Sequence, residues 1–237
     1  MKHRPESITA VLLSLCLLLS VGSAALADSA SPREGAVREL YSIDGSYTDD
    51  VGNHTVYSWH VPQLNTAQSE AAQEINREIS DKFGSAVERE LQSMQLGTSI
   101  LTPSIHWKAY WHENWVFLLV SADISWDMTE YGVYGYDFST DSRVSNESIL
   151  QELGITEQEY LEKLREKVTS MFEEQNRTLP EEYRQKGGYD HLLQQTLDWI
   201  NPEDPIFIGP YGDAETIVSI AAFAGAGRYS YIAEPFL

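Results

Sequence analysis

Strand-favouring residues run from Glu39 to Tyr47 and again from Thr55 to Val61. The polar stretch between them, Thr48 to Asn53 (TDDVGN), carries turn chemistry, so the pattern predicts a β-hairpin. In the second arm Thr55, Tyr57, Trp59 and Val61 share one face while His54, Ser58 and His60 share the other. That two-residue period belongs to a strand buried on one side, and Pro62 is placed to close it. The period then changes. Ala72, Ile75, Ile79, Phe83, Val87 and Met94 recur at three- and four-residue steps, predicting an amphipathic helix of about 28 residues that Asn65-Thr66 caps and Gly97 ends.

From Ser104 to His112, Trp107, Ala109 and Trp111 alternate with His106, Lys108, Tyr110 and His112. Trp115 to Ile124 (WVFLLVSADI) is an almost continuous apolar run, as expected of a strand covered on both faces. Tyr131 to Phe138 follows, with Tyr134, Tyr136 and Phe138 on one face, and the three strands predict a meander. Ser145-Asn146 opens a short helical turn, and Thr156 with Glu159 forms a capping box for a helix carrying Tyr160, Leu161, Leu164, Val168, Met171 and Phe172. Gly187-Gly188 breaks the chain before a third helical stretch from Tyr189 to Trp199, which Pro202 and Pro205 keep from continuing. Ile206 to Ile208, Thr216 to Phe223 and Tyr229 to Ala233 read as the last strands, separated by Gly209 to Asp213 and by Gly225 to Gly227. Strands come in groups with helices inserted between the groups. The expected class is α+β, with mainly antiparallel sheets packed against the long helix and a second helical insertion.

The first 27 residues have the make-up of an export signal. Lys2, His3 and Arg4 precede an apolar run from Ile8 to Val21, and Ala25-Leu26-Ala27 offers a small-x-small cleavage pattern. The run falls short of the roughly 20 residues of a membrane span, so cleavage near Asp28 and secretion are expected, with an uncleaved N-terminal anchor as the alternative. Residues 28–36, rich in Ser, Pro and charge, read as a disordered leader. Residues 37–98 form a strand-strand-helix part and 99–237 a second α+β part, or the two make one continuous domain.

Charge narrows the partners. The chain holds 16 Lys and Arg against 36 Asp and Glu, a net charge of −20; without Lys2, Arg4 and Glu6 the balance is −21. Nucleic acid and anionic membrane surfaces are repelled by such a chain, whereas a basic protein is steered in. Cys16, within the signal, is the single cysteine, so the exported fold uses no disulfide.

Catalytic patterns are sparse. His54 with His60, and His106 with His112, lie six apart; on a strand that is roughly 20 Å, too far to share one ion, which leaves as the alternative one histidine from each pair meeting across neighbouring strands. His112-Glu113 lacks the later histidine of a zincin, and no nucleophile elbow or dinucleotide glycine pattern occurs. Glu173-Glu174 and Glu181-Glu182 sit in charged helical settings that suit a solvated face better than a glycosidase pair. No catalytic residue, metal or cofactor is expected. Six Trp and thirteen Tyr are concentrated in the strands and strand ends. Among them Tyr110, Trp126 and Tyr131, beside Asp123, Asp127 and Glu130, are the candidate partner-binding residues, an acidic aromatic surface suited to a basic protein or to sugar stacking.

The order of these pieces resembles a known family. The paired strands with Val61-Pro62, the INREI of the long helix at Ile75 to Ile79, YGYDFSTDSRVSNESIL at Tyr134 to Leu150 and IFIGPYGDAETIVSIAAFAGAGRYSYI at Ile206 to Ile232 are similar to the extracytoplasmic region of RsiV-type anti-sigma factors. They also resemble the non-catalytic N-terminal region of the peptidoglycan deacetylase PdaC. The resemblance implies a bacterial cell-envelope sensor or binding domain, and in RsiV-type proteins a domain that binds lysozyme, a strongly basic enzyme. Two departures stand beside it. Few residues precede the apolar run, which leaves no sigma-binding segment, and TDD at Thr48 to Asp50 resembles the deacetylase's metal motif without its companion histidine motif. The expected function is a secreted, non-catalytic envelope domain that engages lysozyme, another cationic protein or peptidoglycan. The alternatives are a cell-wall hydrolase working through acidic residues and a structural envelope domain.

Overall fold

The computed structural model describes residues 35–66, 69–124, 128–179, 181–182, 188–221 and 227–237. The hairpin forms as β1 (Val37–Thr48) and β2 (His54–Leu64), paired antiparallel. Its turn is organised by Asp49, whose carboxylate accepts from the backbone N–H groups of Val51 (3.1 Å) and Asn53 (2.8 Å), the Asn53 side-chain amide (2.8 Å) and the Ser99 hydroxyl. Pro62 does not close β2. It lies opposite Glu39, where β1 shifts register between Glu39 and Tyr41, and the strand runs on to Leu64. A bulge tolerates proline because the ladder is already interrupted there. The expected leader also ends earlier, since Ala36 is buried and its carbonyl accepts from the Asn65 N–H at 2.8 Å.

The long helix is real but interrupted: α1 (Glu70–Ile79), one π-helical turn (Ser80–Gly84) and α2 (Ser85–Gln95) run end to end. Ser69, not Asn65-Thr66, is the cap, its hydroxyl accepting from the Ala72 N–H. Asn65 instead donates to the Gly35 carbonyl at 2.9 Å. The wider turn keeps Ile75, Ile79, Phe83 and Val87 in the core. Gly97 ends the helix with φ +75°, a backbone conformation that favours glycine, and a Cβ there would push the exposed Asp50 carboxylate aside.

β3 (Ser104–His112), β4 (Trp115–Ile124), β5 (Met128–Asp137) and the two-residue β6 (Ser142–Arg143) complete a six-stranded sheet of order β1-β2-β3-β4-β5-β6. The meander is as predicted, but β2 and β3 pair parallel over Ser58–Ser104 and Trp59–Ile105, which makes the sheet mixed. One face buries Trp59, Ile105, Val116, Leu118 and Val120 against the long helix. The other buries Phe117 and Leu119 beneath α4 (Glu157–Gln175) and a second, antiparallel sheet of β7 (Ile206–Ile208), β8 (Ala214–Ala221) and β9 (Arg228–Ala233). Two further helices, α3 (Asn146–Leu153) and α5 (Gly188–Asp198), flank this second core. β4 therefore contributes alternate side chains to two cores, each fully buried one worth about 1.5–3 kcal/mol. The sheet crosses the 98/99 boundary, and the described residues form one compact unit. No described helix is long and apolar enough to cross a membrane.

Candidate functional site: an acidic groove along an open sheet edge

β6 pairs only with Tyr136 and Asp137 of β5. The chain then turns away, with the Val144 N–H donating to the Gly135 carbonyl at 3.1 Å and Ser145 capping α3 through its hydroxyl. Among the described residues no strand covers the outer edge of β5 from Met128 to Gly135. Asn146 holds the segment before β7 in place from a distance in sequence. Its side chain donates to the carbonyls of Asp204 (2.9 Å) and Pro202 (3.2 Å) and accepts from the Ile206 N–H (3.0 Å).

Two adjoining cavities result. One, of about 830 Å³, reaches Gly135, Arg143, Glu147, Glu157 and Glu203; the other, of about 590 Å³, reaches Tyr131, Lys82, Asp204 and Arg228. They share Val133, Tyr134 and Pro205. Five consecutive β5 residues, Tyr131 to Gly135, thus touch the groove. Successive strand residues point to opposite faces, so only a groove running along the edge touches all five.

The groove carries more acid than base. Arg143 is occupied by Glu78 and Glu74, Lys82 donates to the Tyr131 carbonyl at 2.7 Å, and Arg228 lies over the Trp199 ring at 5.6 Å. Glu147, Glu157 and Glu203 are exposed and form no ion pair among the described residues. Burial pushes the Asp204 carboxyl up. Burial, with Glu78 adding to it, pushes the Tyr134 phenol up to about 12, so this hydroxyl is a neutral hydrogen-bonding group. The Tyr160 hydroxyl at the groove wall is buried without a hydrogen bond; the nearby Thr216 hydroxyl donates to the Pro205 carbonyl instead.

Among the described residues the expected acidic aromatic surface comes together only in part. Tyr131 does line the groove, half-buried. Glu130, its neighbour along the strand, is exposed on the opposite face. Asp123 is exposed and accepts from the hydroxyls of Ser104 (2.6 Å) and Thr129 (2.9 Å). Tyr110 stacks on Phe207 at 5.8 Å within the second core. It pairs with Phe117, six residues along β4 from Asp123, or roughly 20 Å away. Trp126 and Asp127 lie outside the described residues. Asp123 and Tyr131 share one face of adjoining strands, near enough for the Asp123 charge to add to the upward push that burial gives the Tyr131 phenol, whereas strand periodicity and strand length separate Glu130 and Tyr110 from Asp123.

The other candidates resolve into structural contacts. His60 and His106 stack at 6.2 Å across β2 and β3, but His60 is held by Glu39 (2.8 Å) and Asp44 (3.3 Å), and His112 by Glu152 (3.1 Å). In Thr48 to Asp50, Thr48 ends β1 and Asp49 enters the turn, where its carboxylate accepts from Val51, Asn53 and Ser99. Among the described residues no three His, Cys, Asp or Glu side chains converge as metal ligands.

One group that sequence reasoning passed over is Glu215 on β8. It is 2% exposed, its Oε1 has no hydrogen-bond partner, and burial, then the charges of Glu234 and Asp213, push its carboxyl up to about 7 against the pull of Lys108. The signal was present as a lone acid inside the apolar run AETIVSIA. Glu215 lines neither groove cavity. Compared with protein-family models and with curated proteins, the chain matches none.

Proposed function

We propose that this protein is a secreted, non-catalytic binding domain of a bacterial cell envelope, and that its groove along β5 engages a cationic protein such as lysozyme, or basic groups of cell-wall material. The observation that carries this reading is the excess of carboxylates at the groove, with Glu147, Glu157 and Glu203 free of cationic partners among the described residues, on a chain of net charge −20. A field of one sign focused in a cleft draws in partners of the opposite sign and loses that pull as salt rises. The resemblance to RsiV-type extracytoplasmic regions supports the same reading.

Calorimetric titration with lysozyme at low and moderate salt tests it. Binding that weakens with salt, and weakens further in a Glu147→Gln, Glu157→Gln, Glu203→Gln variant, is expected. No heat at either salt concentration removes lysozyme as the partner. A hydrolytic alternative would rest on the raised carboxyl of Glu215. Its position away from the groove speaks against it, and release of soluble fragments from peptidoglycan incubated with the protein would revive it.

A further inference from the structure

We infer that the outer edge of β5 takes up an extended, Lys- or Arg-bearing segment of the partner as an added strand, with the groove carboxylates reading its charges. The inference rests on the cationic-partner reading above and adds a place and a geometry to it. The Tyr131 carbonyl accepts from Lys82 and the Gly135 carbonyl from the Val144 N–H, so both point away from β4. Val133 lies two residues from each, and the strand period turns its N–H and C=O the same way, into the groove. An incoming strand lies about 4.8 Å beyond β5, in the space that the two cavities leave open. Backbone hydrogen bonds would hold it, and alternate side chains would reach the surrounding residues.

The charges agree with a basic occupant. Glu147, Glu157 and Glu203 surround the Gly135 end, where the excess of acid lies; at the Tyr131 end Asp204 stands with Lys82 and Arg228, and Glu78 is held by Arg143. Lys82 is the guard of this edge. Open edges are commonly protected by lysine, and here its ammonium occupies the carbonyl that the first backbone N–H of an added strand would claim. Binding therefore releases Lys82 from Tyr131.

The test uses the whole protein and two synthetic ten-residue peptides of alternating lysine and valine, identical in charge, one carrying N-methyl groups on alternate backbone amides. N-methylation removes strand pairing and leaves charge intact. The unmethylated peptide is expected to bind about tenfold more tightly, the loss that follows when two or three backbone hydrogen bonds of modest net strength are removed. It is also expected to slow hydrogen exchange at the Val133 amide. Lys82→Met is expected to strengthen the unmethylated peptide more than the methylated one, because charge removal alone affects both alike. Equal affinities for the two peptides would overturn strand addition while leaving the cationic-partner reading intact. Lysozyme binding with no peptide binding would do the same. Failure of lysozyme and both peptides alike would remove both.

Discussion

The turn between β1 and β2 and the strand β8 each bury a carboxyl group, and the two groups behave in opposite ways. Asp49 is 6% exposed and Glu215 is 2% exposed. Asp49 lies among turn N–H groups that no ladder claims, and its hydrogen bonds to Ser99, Asn53 and Val51 lower it to about 2. Glu215 lies on a strand whose amides pair with β7 and β9, between apolar neighbours, and burial raises it to about 7. The difference teaches that burial alone does not set the sign of the shift. What decides is whether donors reach the charged form before desolvation penalises it.

The largest consequence belongs to Glu215. A carboxyl raised from 4.5 to about 7 in the folded state makes folding most favourable below the unfolded value, and stability falls as pH rises through that window. The full difference is about 3 kcal/mol above neutral pH. Glu215→Gln should therefore be more stable than the parent protein at pH 8 by up to about that amount, with the gap closing near pH 4.5. Urea unfolding at both pH values measures it. Parallel pH profiles for parent and variant would show that Glu215 is solvated like any surface acid.

Next in size is Gly209, which faces Glu215 across the β7–β8 turn. A Cβ at this position would collide with Glu215 Oε1. Gly209→Ala should cost about 1–3 kcal/mol as the carboxyl is forced aside. The same change in a Glu215→Ala background should cost far less. A double-mutant cycle reads the coupling, and additive costs would mean that the two residues do not share this space.

Local chemistry made much of the fold legible. The apolar run of β4, the hairpin, the capping box at Thr156 and the three- and four-residue steps of the long helix all mark elements that form. The π-helical turn and the Ser69 cap escaped because both preserve the apolar stripe that the periodicity reports. Pro62 misled because the bulge that accommodates it is formed by β1, a different segment. The groove was illegible for a stronger reason. It lies between β5 and the segment before Ile206, which is held by hydrogen bonds to Asn146, some sixty residues earlier. Nothing local in β5 records that its outer edge is left open.

Asp49 supplies the counterpart to the Glu215 experiment at acid pH. Its carboxyl is lowered from 3.8 to about 2, so its contribution is complete above the unfolded value and is lost as pH falls through the folded one. Asp49→Asn should lower the melting temperature by a few degrees at neutral pH and by much less near pH 2, where the folded parent's carboxyl is about half protonated and most of its contribution is gone. Thermal unfolding at pH 6 and pH 2 measures this. An undiminished difference at pH 2 would assign the effect to side-chain geometry instead of charge.

The smallest effect is expected at His60, and it separates burial from exposed pairing. The hydrogen bond to Glu39, then that to Asp44, raise the imidazole above its ordinary 6.5 against a partial desolvation cost. A raised histidine stabilises the fold below its unfolded value and loses that contribution as pH rises through the folded one. Both His60 and Glu215 therefore make the protein less stable on going from pH 5 to pH 8, but for different reasons. The His60 pair lies near the surface, so its contribution should stay below about 1 kcal/mol and fade in molar salt. The Glu215 penalty arises mainly from desolvation and should survive the same salt. His60→Gln measured at pH 5.5 in 0.05 M and about 1 M salt should thus lose most of its small cost at the higher concentration. A cost unchanged by salt would show that His60 acts as a packed residue and that its carboxylate partners add little.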